Sequence, residues 1–411
     1  MNLARILFFP IVFLCFCSCQ KGDIQEEEIQ PYAEGSFGYD VDFLAGVDES
    51  FIVLADGGSQ ILLSPRFQGK VFTSTAKGLS GTSYGWMNYD AIGSGTVAAH
   101  INAYGGEDRL WLGPEGGPFS IYFPPGSEMV FENWQTPAGI DSEAWDLVES
   151  TEKSVVMTKS LELENYSGTT FRAKLDRTVS LVATESMQED LGISLPGSVS
   201  WVGFESVNGV TNTGLSPWEE EKGALCLWVL GMFNPSDNLL VLVPYVDGSE
   251  DELGDIATTD YFGEIPDDRI RAADGLLVFR GDGKYRSKLG LSPKRAKSLL
   301  GSFDVENNVL TVVTYNKPME DLPYLNQVWG PQDFPYAGDA INSYNDGPLE
   351  DGTQMGPFYE LETVSPAAFL SPGGRLEHVH RTYHFEGPAE QMDSLLGEIF
   401  GITLDSLKGF F

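Results

Sequence analysis

Residues Ser154–Val182 read SVVMTKSLELENYSGTTFRAKLDRTVSLV. Apolar and polar side chains alternate on both sides of Asn165-Tyr166-Ser167-Gly168. A period of two puts one set on each face of an extended chain, and the Asn-to-Gly cluster supplies a turn. The stretch predicts two antiparallel strands, each with one buried face.

The same signature recurs outward from it. Phe51–Leu54 and Ile61–Leu63 flank Asp56-Gly57-Gly58-Ser59, a good hairpin. Ala224–Met232 and Leu239–Val246 flank Asn234-Pro235-Ser236-Asp237, and Val309–Tyr315 follows Asn307-Asn308. Helical patterns are confined to Pro293–Leu300 and to Pro388–Leu396, the latter continuing toward Lys408. No repeat of fixed period is present, which argues against a propeller or solenoid. No Pro-, Gly- or Ser-rich linker divides the body. The expected fold is mainly β: one large antiparallel sandwich over residues 36–411, with few short helices and a C-terminal helical segment.

The chain has 411 residues and a net charge of −35, from 25 Lys+Arg against 60 Asp+Glu. Phosphate contacts need a dominant basic face, so a nucleic-acid partner is excluded. Attachment through anionic lipid is disfavoured for the same reason. Hydrophobic residues make up 42% of the chain, too many for a disordered acidic polymer.

Residues 1–18 read as a secretory signal. Arg5 is followed by the apolar run Ile6–Phe16, too short to span a bilayer. Cys19 follows the small residue Ser18, a pattern that resembles a bacterial lipobox, with Cys19 as the acylated first residue. Residues 19–35 then read as the lipidated Cys and an acidic flexible tether. The expected location is a lipid anchor in the bacterial cell envelope, on the periplasmic or surface face of the outer membrane. The membrane is expected to be met through that anchor alone. Cys15 and Cys17 leave with the signal, so Cys226 remains as a single core thiol.

Two charge islands stand out. Asp247–Asp268 carries nine acids and no base, reads as a solvated loop, and lacks calcium-loop spacing. Arg280–Lys297 carries seven bases and one acid. It either pairs with the acidic loop or forms a site for a uronate, sulfate or phosphate group.

Four segments offer chemistry. Gly105–Gly117, GGEDRLWLGPEGG, brings Glu107, Asp108, Arg109, Trp111 and Glu115 together, with His100 and Asn102 on one strand side just upstream. These types hydrogen-bond and stack on sugars; an Arg109–Glu115 pair closing the loop is the structural alternative. Val328–Pro348, VWGPQDFPYAGDAINSYNDGP, contributes Trp329, Asn342, Asn345 and Asp346. In Gly356–Ala367, GPFYELETVSPA, Glu360 and Glu362 share one strand face and can serve as acid or base, or simply be solvated. In His378–Gly387, HVHRTYHFEG, His378, His380 and His384 lie on one line. His378 and His384 would be about 20 Å apart in a straight strand, so one metal ion cannot hold both. Hydrogen bonding to a sugar, or general acid work by one of them, suits the spacing better.

These four segments resemble a bacterial lipoprotein family of unassigned activity, of the Bacteroidetes type, from about Asp40 to Gly387. That family is similar to the galactose mutarotase-like, or aldose 1-epimerase-like, superfamily. The resemblance implies a large β-supersandwich with a sugar-sized cleft, in which a Glu acts as base and a His as acid at the anomeric centre. Glu362, four residues before Pro366, matches the Glu position best, with Glu360 open; His100, His378 and His380 are candidates for the His. Trp86, Trp111, Trp134 and Trp329 are candidates for stacking, and Asn102, Arg109, Glu115, Asn342, Asn345, Asp346 and His384 for polar contacts. The expected ligand is a mono- or oligosaccharide, an anionic one being admitted by the basic island, with no cofactor and no metal. The alternative is a lipoprotein that binds sugar, or supports an envelope complex, without catalysis.

Overall fold

The computed structural model describes residues 32–411. The signal, Cys19 and the tether as far as Pro31 lie outside the described residues.

The quoted hairpin lies near one edge of the largest sheet. Ser154–Glu164 and Thr170–Leu181 pair in antiparallel register, Glu164 opposite Thr170. Asn165 closes the turn: its backbone N–H donates to Thr169 O, and its Oδ1 accepts from Thr169 N. Gly168 takes the left-handed conformation there, at φ +82°. The sheet has ten strands, in the order Ile270–Ala273, Leu276–Arg280, Leu239–Pro244, Leu299–Asp304, Val309–Tyr315, Arg375–Glu386, Ser200–Asn212, Thr170–Leu181, Ser154–Glu164 and Asp146–Ser150.

A second sheet of five strands lies on one face of it. Its order is Ser287–Leu291, Ile341–Asn345, Tyr359–Val364, Cys226–Phe233 and Arg109–Gly113, all antiparallel. Leu110, Leu227, Val229, Leu289, Ile341 and Leu361 are fully buried with residues of the large sheet such as Leu175, Val179 and Val241. The other face of the large sheet is covered by helices Ala389–Phe400 and Leu404–Lys408, whose Met392, Leu395, Leu396 and Leu407 cluster with Leu242, Phe303, Val312 and Tyr383. Burying each such side chain stabilises the fold by about 1.5–3 kcal/mol. A three-stranded sheet, Ile52–Asp56, Ser59–Ser64 and Lys70–Thr75, shares a further small core with helix Phe37–Ala45. The mainly β, antiparallel architecture is the one expected.

Three local expectations are corrected. The turn Asn234–Asp237 closes no hairpin: Cys226–Phe233 belongs to the five-stranded sheet and Leu239–Pro244 to the ten-stranded one. Pro293–Leu300 is no helix. It turns at Pro293–Arg295 and enters the strand Leu299–Asp304. The C-terminal helical stretch is two helices, broken at Gly401 with φ +72°, a left-handed cap that glycine adopts without strain. Cys226 is buried, and burial pushes its thiol up to about 12.

Candidate functional site

Alternation gives the five-stranded sheet two faces of opposite character. The inner face is mostly apolar, with Thr363, Ser343 and Asn345 among its buried polar side chains. The outer face carries Arg109 and Trp111, then Trp228 and Met232, Glu360 and Glu362, Asn342 and Tyr344, and finally Lys288. Register aligns them: Glu362 sits opposite both Asn342 and Leu230, Leu230 opposite Arg109, and Asn342 opposite Gly290. One row further along, Glu360 faces Tyr344, and Tyr344 faces Lys288.

The charged groups interlock. Arg109 Nη2 donates to Glu360 Oε1 at 2.7 Å. Glu362 Oε2 accepts from Trp228 Nε1 at 2.8 Å and from Lys288 Nζ at 3.2 Å. Lys288 Nζ lies 4.8 Å from the Trp228 ring, and the Arg109 guanidinium 5.2 Å from the Trp111 ring. Glu362 is 0% exposed, Asn342 1% and Arg109 2%. Yet both polar atoms of the Asn342 amide, Arg109 Nε and Glu362 Oε1 find no hydrogen-bond partner among the described residues. A buried polar atom left unpaired costs about 1–3 kcal/mol.

Burial and the neighbouring Glu362 push the Glu360 carboxyl up to about 8, although Arg109 opposes this. Two carboxyls on adjacent same-face positions cannot both ionise cheaply, so the pair holds a proton at neutral pH. Burial alone would push Lys288 down. Glu362, Glu115 and Glu360 together outweigh it and leave the ammonium raised.

Aromatic rings close the site at both ends. At one end Trp111 lies edge-on to Trp228 at 5.9 Å, and Trp134 stands 6.5 Å from Trp111 and 5.9 Å from Trp329. Glu115, partly buried, accepts from Trp329 Nε1 at 3.0 Å. At the other end Trp86 packs on Phe358 at 4.7 Å, in one cluster with Met232 and Tyr344.

The acidic loop takes part as well. Thr258 and Gly290 exchange backbone hydrogen bonds at 2.8 and 2.9 Å, which docks the loop on the edge strand of the sheet. Tyr261 then donates to Asp339 Oδ2 at 2.5 Å, and its ring lies 5.6 Å from Lys288 Nζ. Burial pushes Asp339 up to about 6, against the Tyr261 hydrogen bond and Lys288. Gly290 leaves room for the side chains above it: a Cβ there would displace the Asp339 carboxylate and the Asn342 amide. Asp247–Asp268 is therefore more than a solvated loop. Arg295 of the basic island ties its start down, donating to the carbonyls of Val246, Gly248 and Gly254.

Of the residues expected at a site, Arg109, Trp111, Glu115, Trp134, Trp329, Asn342, Glu360 and Glu362 fall together. His100 is at the rim, its Nδ1 2.6 Å from Trp134 O and its ring 4.7 Å from Phe131. Asn102 lies in an adjacent cavity, bound to Asp141.

The rest are placed elsewhere. His378 and His380 point into the space between the sheets, where Thr363 Oγ1 lies 2.8 Å from His378 Nε2 and 2.8 Å from His380 Nδ1. Thr363 and Glu362 are consecutive on a strand, so these imidazoles stand behind the carboxylates. Burial holds them near 3 and 4, uncharged. His384 is also internal, 2.9 Å from Glu107 Oε2 and stacked on Tyr84. Asn345 faces inward, with its side chain spent on Gly283, Asp282 and Tyr285. Asp346 is spent on the Tyr344 hydroxyl and Gly356 N. The expected alternative pair Arg109–Glu115 is not made, because each has another partner. Lys288, Trp228, Tyr261 and Asp339 were not anticipated. A lone Lys inside the apolar run SKLGL was the available signal for the first.

Residues 35–411 match the family described as a family of unknown function, DUF6786. The chain belongs to that family. No curated protein matches the sequence. Among solved structures, this DUF6786 chain is similar to a galactose mutarotase-like protein from Lactobacillus casei: 12% identity over 81% of this chain and 99% of that one, TM-score 0.48. It is similar to a protein from Synechocystis sp. PCC 6803, at 12% identity over 82% and 96%, TM-score 0.48. It is also similar to an aldose epimerase homologue from C. elegans, at 14% identity over 82% and 98%, TM-score 0.44.

Proposed function

We propose that the outer face of the five-stranded sheet binds a sugar ring and does acid–base chemistry on it through Glu360 and Glu362. The observation that carries this reading is the row Arg109–Glu362–Asn342. Its unpaired, buried donors and acceptors lie in one line between two aromatic walls. A sugar presents that combination in reverse, with hydroxyls around the ring edge and C–H faces for stacking. In this reading Glu362 takes the proton of a hydroxyl at the anomeric carbon. The ring oxygen receives a proton from a group that still holds one at neutral pH. Two such groups stand beside Glu362: the Glu360 carboxyl and the Tyr261 hydroxyl on Asp339. They take the part that sequence assigned to a histidine.

General acid–base groups contribute about 10²–10⁴-fold each. Glu362→Gln is expected to lower anomer exchange by that factor, read by NMR saturation transfer on a panel of hexoses and pentoses, with binding retained. Unchanged exchange in the variant removes Glu362 as the base. A non-catalytic sugar-binding protein is the second reading, favoured by the two hydrogen bonds that Glu362 Oε2 already accepts. Saturable binding without any exchange decides for it. The proposal keeps export on a lipid anchor at Cys19. Labelling with palmitate that survives Cys19→Ser would remove that part.

A further inference from the structure

Beside the aromatic wall lies a cavity of about 490 Å³. Its floor is made of Asn102, Asp141 and Thr136, all more than nine-tenths buried. Asn102 is locked: its Nδ2 donates to Asp141 Oδ2 at 2.6 Å, and its backbone N–H lies 3.2 Å from both carboxylate oxygens. Thr136 Oγ1 has no partner among the described residues, nor has Nε1 of Trp134, two residues before it. Pro124, Pro125 and Val97 form an exposed apolar lip. Tyr122, also in the lining, stacks on Trp134 at 5.9 Å, so an aromatic layer stands between this cavity and Trp111.

The volume lies within the range that holds small organic ligands, about 300–1,000 Å³. The acids Asp141, Glu162 and Glu164 line it, and no Lys or Arg does. The charged side chains of the lining are therefore all acids, and the lining itself repels an anionic ligand. A fixed amide–carboxylate pair and a free hydroxyl on the floor, with proline faces at the lip, suit a ring carrying hydroxyls on its edge and C–H groups on its face. We propose that this cavity is a second saccharide site, distinct from the carboxylate face and selective for uncharged sugar units. It goes beyond the acid–base reading and needs none of its chemistry. Asn102, expected from sequence to touch sugar, would do so here.

Calorimetric titration of the full chain with neutral tetrasaccharides of glucose, galactose and xylose tests it, with a galacturonate tetramer as the charged arm. Ala138 is an exposed cavity residue, and Ala138→Trp fills the space without touching the core. The expected result is a neutral-sugar site weakened about tenfold or more by Ala138→Trp and about three- to tenfold by Thr136→Val, yet kept in Asn342→Ala. Circular dichroism melts confirm that each variant folds. Binding that ignores Ala138→Trp and Thr136→Val but vanishes in Asn342→Ala overturns the second site and leaves the carboxylate-face reading standing. Stronger binding of the galacturonate through residues of the cavity overturns the charge assignment. Absence of binding by any of the sugars takes both readings down.

Discussion

Glu362 and Thr363 are neighbours in sequence and belong to two different polar networks. Thr363 faces inward, to His378 and His380. Next to them Arg177 donates to Gly69 O, Asn208 Oδ1 and both Asp108 O and Oδ1, at 2.5–3.2 Å. That network is closed on itself: apart from Asp108 Oδ2, its side chains have partners within the described residues. Glu362 faces outward, where four buried polar atoms of Arg109, Glu362 and Asn342 have none. Both regions bury charge to a similar depth. What separates them is completeness. A closed network does structural work, whereas an open row of oriented donors and acceptors is built for a ligand.

The comparison breaks most clearly in stability. Arg177→Met strands Asp108, which is 0% exposed, and is expected to cost about 3–5 kcal/mol in urea unfolding. Arg109→Met removes a geometrically similar pair, but Glu360 already holds a proton readily and need not stay charged. Its cost should be only about 1 kcal/mol. Equal losses in the two variants would erase the distinction drawn between the networks. A smaller effect sharpens it. Asn342→Ala removes an amide that bonds nothing in the protein, so stability should stay within about 1 kcal/mol of wild type. Sugar affinity should fall about 10–100-fold in the same variant, read by calorimetry. A destabilised protein with unchanged affinity would make Asn342 a core residue.

The two networks also mark how far sequence could be read. Alternation in YELETV was enough to set Glu360 and Glu362 on one face and Thr363 on the other. It likewise put His378, His380 and His384 on one line. It could not say that Arg375–Glu386 runs in the ten-stranded sheet with that line turned toward the back of Tyr359–Val364. Which sheets a strand joins is set by pairings between residues far apart in the chain. The turn at Asn234–Asp237 shows the same limit: local turn chemistry is that of a hairpin, yet its two strands pair with different partners. Lys288 was counted as one base of an island, because its role depends on Glu362, 74 residues away. The aromatic wall was half visible: Trp111, Trp134 and Trp329 were picked out, while Trp228 was hidden in an apolar run that reads as core.

Stability should also depend on pH, with opposite signs in the two networks, and the smallest expected change is the one a single substitution makes to that profile. His378 and His380 titrate near 3 and 4 when folded, against an ordinary value of 6.5, because burial disfavours the charged ring. The unfolded chain binds protons that the folded one does not. Their contribution is complete above about 6.5 and is lost as pH falls toward 4 and then 3. Glu360 is the reverse, near 8 when folded against 4.5. Between those values the folded chain holds a proton that the unfolded chain has released, so stability falls as pH rises from 4.5 to about 8 and is level above. Glu360→Gln keeps the size and polarity of the side chain and removes the titration. It should flatten the alkaline side of the melting-temperature profile and leave the acid side unchanged. The gain at pH 8 should be on the order of 1 kcal/mol, since the shared proton belongs to both carboxyls and Glu362 retains part of its effect. A profile whose acid side flattens instead would place the titrating groups on the wrong face of the strand.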